Sequence, residues 1–271
     1  MPIKTLRYYG SVAGYFIRMA IKRQLEYPSY LVCWIIGNPL QYLVGVWMIG
    51  VITERFQSLN GWSYKEITFL YGLSLLSHGL MIVFFIQTWN IENMVRRGEF
   101  DRILLRPINA FFHFCFQYFN FIGFFDLLPG VIIFIYGCKA TGFIWSISNI
   151  VKLLLVLTGA VLIRAAFFTA TGSVAFWTKS SRYFVLTGLA ILEKTTMYPL
   201  TIYPYLIQVI FTFIIPFGFI SFYPASEFMN IGNKLEIPAG FALLTPAVGL
   251  ASTIAIAIFN RGLKRYESAG S

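Results

Sequence analysis

Charge is what this sequence has least of. Only 12% of its 271 residues are Asp, Glu, Lys or Arg, against about 25% in an ordinary soluble domain. So few ionic groups cannot cover a water-exposed globule of this size, which excludes a soluble fold. Cysteine is scarce as well. Cys33, Cys115 and Cys138 are odd in number and show no CxxC pairing, which excludes a disulfide framework and a thiolate metal site. Lying mostly in apolar runs, they read as small buried hydrophobes. The 11 acidic residues and 2 histidines are too scattered for a metal cluster. No HExxH, GxSxG or P-loop occurs, so no catalytic residue is assigned and no enzyme is expected.

What the chain has in abundance is hydrocarbon. It is 58% hydrophobic and 18% aromatic, with a mean hydropathy of +0.70. This composition predicts an all-α integral membrane protein, because a helix satisfies its own backbone in lipid. Spans of about 20 apolar residues are needed. Six fit: Tyr30 to Ile52 with Pro39 inside it, Glu66 to Thr88, Ala110 to Tyr136, Ile147 to Trp177, Tyr205 to Phe222 with Pro216, and Ala239 to Phe259. Residues 184–198 are apolar up to Leu192, but Glu193 and Lys194 follow too soon for a full span. They read as a partial or interfacial helix that returns to the side it came from. The whole chain, 1–271, is one transmembrane domain, with residues 223–238 as a short external loop.

Residues 4–25 read as an amphipathic helix lying on the membrane. Lys4, Arg7, Ser11, Arg18 and Lys22 share one face, and Leu6, Tyr9, Ala13, Phe16, Ile17 and Ala20 the other. The same basic residues, with Arg23, interrupt any apolar core, so a cleavable signal is not expected. Tyr27-Pro28 ends this helix.

One polar island interrupts the apolar chain, residues 89–107 between the second and third spans. It sets Arg96, Arg97, Arg102 and Arg106 against Glu92, Glu99 and Asp101. Glu92 and Arg96 stand at i, i+4 and support a short helix. Gly98 fits its C-terminus, and Pro107 biases Arg106 away from helix. Both signs of charge, interleaved with Met94, Val95, Phe100, Ile103, Leu104 and Leu105, suit docking onto another protein. An ordinary anchoring loop is the plainer alternative.

The net charge of +10 is explained by topology, not by a nucleic-acid partner. With both termini cytosolic, the inner segments hold fifteen of the 21 basic residues: five in the first helix, four in the island, Lys179, Arg182, Lys194, Arg261, Lys264 and Arg265. The outer segments hold Arg55, Lys65, Lys139, Lys152 and Lys234. That bias sets the orientation by the positive-inside rule, provided residues 184–198 do not cross.

Two ionisable residues fall in mid-membrane, where charge is costly. Asp126 in the third span and Arg164 in the fourth lie at depths close enough for a salt bridge. A pair of that kind predicts that Asp126→Asn lowers the amount of folded protein and that swapping the two charges partly restores it. His78 stands among Ser74, Ser77 and Gly79 and reads as a hydrogen-bonded residue within the bundle. His113 sits near the inner mouth of the third span. Tyr198-Pro199 and Tyr203-Pro204 punctuate the chain as helix stops, and the clustered tyrosines suggest a gate.

Three groups of residues carry a resemblance. The first runs from Arg96 through Gly98, Asp101 and Leu104 to Arg106-Pro107. The second runs from Tyr198-Pro199 to Pro204, and the third from Pro216 to Ala225. With the N-terminal helix and six spans, the chain resembles permease subunits of type-two ABC exporters. The most similar branch pairs two different permeases with one ATPase. The resemblance implies an elbow helix at residues 4–25. It implies a coupling helix carrying Glu92, Arg96, Arg97, Gly98, Glu99, Asp101, Arg102, Leu104, Arg106 and Pro107. It further implies a second permease subunit, and a cytosolic ATPase dimer that binds the ATP and magnesium this chain does not. In a bacterial plasma membrane, amphipathic or hydrophobic cargo would pass along aromatic spans bearing Tyr42, Phe85, Phe211 and Phe213, gated by Tyr198 and Tyr203. A stand-alone transporter or channel using Asp126 and Arg164 is the alternative.

Overall fold

The computed structural model describes residues 3–26, 28–56, 58–231 and 240–267. The expected break at Tyr27, residues 232–238 of the expected external loop with Lys234, and Ala239 lie outside the described residues. Among the described residues there is no strand, and the fold is a helical bundle. Five stretches are long and apolar enough to cross a membrane: Leu31–Phe56, Tyr64–Arg96, Gly123–Thr141, Ile147–Thr178 and Thr245–Leu263.

The bundle is built around one antiparallel pair, α3 (Tyr64–Phe85) and α7 (Gly123–Thr141). Helix α3 starts on a capping box in which the Glu66 carboxylate accepts from both the backbone N–H and the hydroxyl of Ser63, at 2.7 and 2.9 Å. The two helices meet along glycines spaced by seven, Gly72 and Gly79 on one and Gly123, Gly130 and Gly137 on the other. A methyl group at Gly72 would stand 2.5 Å from Phe134 Cα, and one at Gly137 2.6 Å from Phe69 Cα. Without large side chains between them the backbones come into direct contact, which is how helices gain attraction where lipid is as apolar as leucine.

Helix α8 (Ile147–Ser173) packs across this pair, followed by the short α9 (Ala175–Thr178). The last crossing is α13 (Thr245–Ser252) running into α14 (Ile254–Leu263). Helix α2 (Pro28–Phe56) lies at the periphery, with Val32, Ile36, Leu40, Leu43, Val44 and Trp47 all more than half exposed.

Four stretches depart from the sequence expectations. The third span does not run unbroken from 110 to 136. Helix α6 (Ala110–Gln117) stops, the chain turns, and α7 begins at Gly123. Polar groups take up the backbone that the break frees. Asn120 N–H donates to Val83 O at 3.0 Å, and the Gln24 amide bridges Phe119 O and Ile122 N at 2.8 and 3.2 Å.

The second change concerns α1 (Ile3–Leu25). The apolar face expected to enter the bilayer covers α6 instead. Phe16 stacks on His113 at 4.9 Å between ring centres, and Tyr9 meets Phe112 edge-on at 4.8 Å. Arg7, Ser11, Arg18 and Lys22 are exposed, and so is a separate stripe of Tyr8, Tyr15 and Met19.

The third change is in the second half of the chain. Residues 182–197 form helix α10 (Arg182–Met197), and it does not return to the side it came from. At its start, the backbone N–H groups of Ser181 and Arg182 bond Glu92. Just past its end, Thr201 O accepts from Asn60 Nδ2 at 2.6 Å. Glu92 and Asn60 flank opposite ends of α3, so α10 runs the depth of the bundle, about 24 Å at 1.5 Å per residue.

Residues 205–222, expected as a continuous span, are instead a string of short pieces. Helix α11 (Tyr205–Val209) passes into a π-helical turn at Ile210–Ile214, a 3₁₀ turn at Phe217–Phe219, and α12 (Phe222–Phe228). Pro216, which has no N–H to give, sits at the break. The string dips to the level of Thr196, whose carbonyl accepts from Ser221 Oγ at 3.0 Å. It returns to the Asn60 end, where Phe222 packs on Trp62 and Phe228 on Phe143. Residues 223–228, expected in an exposed loop, are therefore largely buried.

Candidate functional site

The polar island folds into two short helices, α4 (Ile91–Arg96) and α5 (Glu99–Leu104). Between them Gly98 takes φ +68°, a left-handed turn that side chains with a Cβ resist. Most of the island's apolar residues face inward, contrary to the expectation that they would serve docking. Ile91, Met94, Val95, Phe100 and Ile103 are buried with Phe114, Phe176 and Phe259 in an apolar cluster of their own. Burial of these residues outweighs their use at a surface, at roughly 1.5–3 kcal/mol for each large side chain. What remains outside is Arg96, Arg97, Arg102, Leu104, Leu105, Arg106 and Pro107. Leu105 is 85% exposed, beside four arginines.

Two of the acids in this segment point away from that surface. Glu92 is 8% exposed, and its Oε2 accepts from Ser181 N–H at 2.6 Å and Arg182 N–H at 2.5 Å. These are the first free donors of α10, so a carboxylate from α4 caps a helix 90 residues further along the chain. Arg96 approaches the same carboxylate at 3.6 Å. Glu99 accepts from the Tyr118 hydroxyl at 2.6 Å, and the Arg23 guanidinium lies over the Tyr118 ring at 5.2 Å. Burial, then the Glu99 carboxylate, pushes the Tyr118 phenol up to about 12. Arg106 Nη1 lies 3.3 Å from His113 Nε2 and over the Phe16 ring at 5.6 Å. Helix α1 is thus tied to the island through Tyr118 and His113.

The expected salt bridge in mid-membrane does not form. Asp126 takes hydrogen bonds from Trp34 Nε1 at 2.9 Å and Asn38 Nδ2 at 2.6 Å, both on α2. Arg164 donates through Nε to Ser77 Oγ at 3.0 Å. Through Nη2 it donates to Ser74 O, Ser74 Oγ and Thr196 Oγ1 at 3.2, 2.8 and 3.3 Å. Each charge has neutral partners, because α2 and α10 supply polar groups at the right depth. Asp126 fastens α2 to α7, and Arg164 fastens α8 to α3 and α10.

Arg164 also borders a cavity of about 610 Å³ between α2, α3, α8 and α10. Tyr42, Tyr71, Ser74, His78, Glu193, Tyr198 and Tyr203 line it with Arg164. Of the expected path residues, Tyr42, Tyr198 and Tyr203 meet here. The others do not: Phe85 packs between the two apolar clusters, Phe211 stacks on Phe217 at 5.5 Å, and Phe213 is 68% exposed on the outside. Among the described residues no group of His, Cys, Asp and Glu could hold a metal ion.

The sequence reading missed the capping role of Glu92 and the assignment of Ser74, Ser77 and Thr196 to Arg164. The first had no signal, since Glu92 and Ser181 are far apart in the chain. The second had one: hydroxyl residues at 74, 77, 195 and 196 lie in otherwise apolar helices.

The family model for ABC-2 family transporter proteins matches residues 40–270. The chain belongs to the ABC-2 transporter family. An ABC-2 chain is a multi-pass membrane component of a transporter, a permease subunit generally not itself catalytic, and the family in general implies an ABC ATPase as its partner. No curated protein and no solved structure matches.

Proposed function

We propose that this ABC-2 permease works in an exporter of a bacterial plasma membrane, moving an amphipathic or hydrophobic cargo with energy from a separate ATPase that holds the ATP and magnesium. Two permeases, identical or different, meet along a shared path, and two ATPase subunits dock at the island end. The chain crosses six times, on α2, α3, α7, α8, α10 and α13–α14, with residues 205–228 dipping in and returning. Both termini are cytosolic. Taking α10 as the fifth crossing moves only Lys194 towards the outer side, so the positive-inside bias still favours this orientation.

The observation that carries the reading is the double use of the island. Its outer surface offers four arginines and Leu105 to a partner, while Glu92 behind it holds the first turn of α10. Helix α10 in turn lines the cavity with Glu193 and Thr196, and Tyr198 follows at its end. A push on the island therefore reaches the cavity as movement of a helix, a rigid-body route of the kind that packed interfaces transmit. The stand-alone transporter loses its main support, because Asp126 and Arg164 are held apart by separate partners.

The test is co-purification of the tagged permease with an ABC ATPase from native membranes. Arg102→Glu and Leu105→Asp should abolish capture while the permease still inserts in the membrane. Capture unchanged by both substitutions would remove the docking surface from the account.

A further inference from the structure

Arg164 is 1% exposed and no carboxylate lies within ion-pair distance of it among the described residues. Its Nε and Nη2 are occupied by hydroxyls and one carbonyl. These neutral acceptors orient the guanidinium without neutralising it. A buried cation that is hydrogen-bonded but not paired is costly. Such a residue inside a bundle, at the wall of a cavity, is a position where an anion lowers the energy.

The cavity has a polar end and an apolar mouth. Arg164, Ser74, Thr196 and His78 lie together at the inner wall, with the hydroxyls of Tyr42 and Tyr71 among the lining. Val44, Met48 and Ile202, exposed on α2 and beyond α10, form the rim. Glu193 and Lys194, both exposed, line the same opening. The Glu193 carboxylate acts on Arg164 only from a distance, across the cavity and without an ion-pair contact, so the guanidinium has no acid bound to it. Behind Tyr42, Asp126 already accepts from Trp34 and Asn38 of α2.

We infer that this cavity binds an anionic amphiphile, with its phosphate or carboxylate on Arg164 and its hydrocarbon tail leaving between α2 and α10. Arginine suits such a group because its N–H donors match the oxygens of phosphate and carboxylate. The tail meets tyrosine faces and then exposed aliphatic side chains, so the ligand need not leave an apolar surface to enter. A volume of about 610 Å³ accommodates a headgroup with the first part of a chain. This names the chemistry of the cargo path and rests on the permease reading for its use in transport, but binding itself does not require the ATPase.

The experiment is native mass spectrometry of the full chain in maltoside, titrated with dodecyl phosphate. Dodecyltrimethylammonium, of equal tail length and opposite charge, is the control. One saturable dodecyl phosphate per chain is expected, with no comparable site for the cation. Arg164→Gln should weaken binding by about tenfold or more, and Arg164→Lys by less. Met48→Trp fills the rim without touching any Arg164 hydrogen bond, so it reports on the cavity even if Arg164→Gln fails to fold. It should weaken binding as well. Displacement by added phosphatidylglycerol identifies a membrane lipid as a natural occupant, and its failure points to a transported amphiphile; both keep the anion site. Equal binding of the cation, or dodecyl phosphate affinity unchanged in both Arg164→Gln and Met48→Trp, overturns the inference. The ATPase capture described above is independent, so failure of one reading is told apart from failure of the other.

Discussion

Glu92 Oε2 accepts from the backbone N–H of Arg182 across 90 residues of chain, at 2.5 Å. This single carboxylate joins the polar island to a helix of the cavity wall. Removing it as Glu92→Ala leaves two amide donors at the head of α10 without their acceptor, a loss of about 0.5–2 kcal/mol for a cap. The expected result is faster hydrogen exchange at residues 182–186, with exchange at α3 unchanged. In the complex, cargo should no longer stimulate ATP hydrolysis while the ATPase still binds. Unchanged exchange at the head of α10 would show that the cap carries no load.

The glycine spacing makes a second prediction. Gly137→Leu sets a side chain against Phe69, where a methyl group alone would stand 2.6 Å from the backbone. Overpacking of this kind costs about 1–3 kcal/mol or more, so the melting temperature and the yield of folded protein should fall. Gly10→Ala, in α1 with open space around it, should be neutral or stabilising by up to about 1 kcal/mol. Comparable losses for both would mean that the α3–α7 contact is not the one described.

The third concerns Asp126. Its two hydrogen-bond donors, Trp34 and Asn38, lie on α2, which is otherwise mostly exposed. Asp126→Ala should detach the middle of α2, at a cost of roughly 1.5–3 kcal/mol for each charged hydrogen bond lost. Asp126→Asn should be milder, since one acceptor oxygen remains. Exchanging Asp126 and Arg164 should give no rescue, because the two do not touch. Recovery of thermal stability in the exchanged protein would restore the salt bridge that the sequence had suggested.

Helix α10 supplies the fourth. A cysteine at Ser180 should react with a membrane-impermeant maleimide from the same side as one at Arg97. A cysteine at Ile202 should react from the opposite side, as should one at Ser58. The natural Cys33 is exposed and is replaced first. Labelling of positions 180 and 202 from one side would return residues 184–198 to an interfacial helix.

The distance between sequence and structure is clearest at particular residues. Membrane residence, helical class and the island needed no coordinates, because charge and hydropathy are properties of single positions. The amphipathic face of α1 was legible too, since Tyr9, Phe16 and Ala20 follow one helical period. What covers that face was not: α6 reaches it only because the third span breaks at residues 118–122. Glu193 and Lys194 argued against a crossing, yet both stand where α10 borders a cavity, and a cavity tolerates charge that lipid does not. The glycines at 72, 79, 123, 130 and 137 were a readable signal for the central contact that hydropathy alone passes over.

The sequence by itself determined the solvent this protein lives in, the secondary structure that solvent permits, and the one segment polar enough to leave it. Those follow from transfer energies, which each residue carries wherever the chain goes. Only the tertiary structure decided the partners of the buried charges, giving Asp126 to α2 and Arg164 to the hydroxyls of α3 and α10, and Glu92 to the head of a distant helix. A buried polar group must be satisfied by whatever donor or acceptor folding brings within 3 Å, and that proximity is not a property of any stretch of chain.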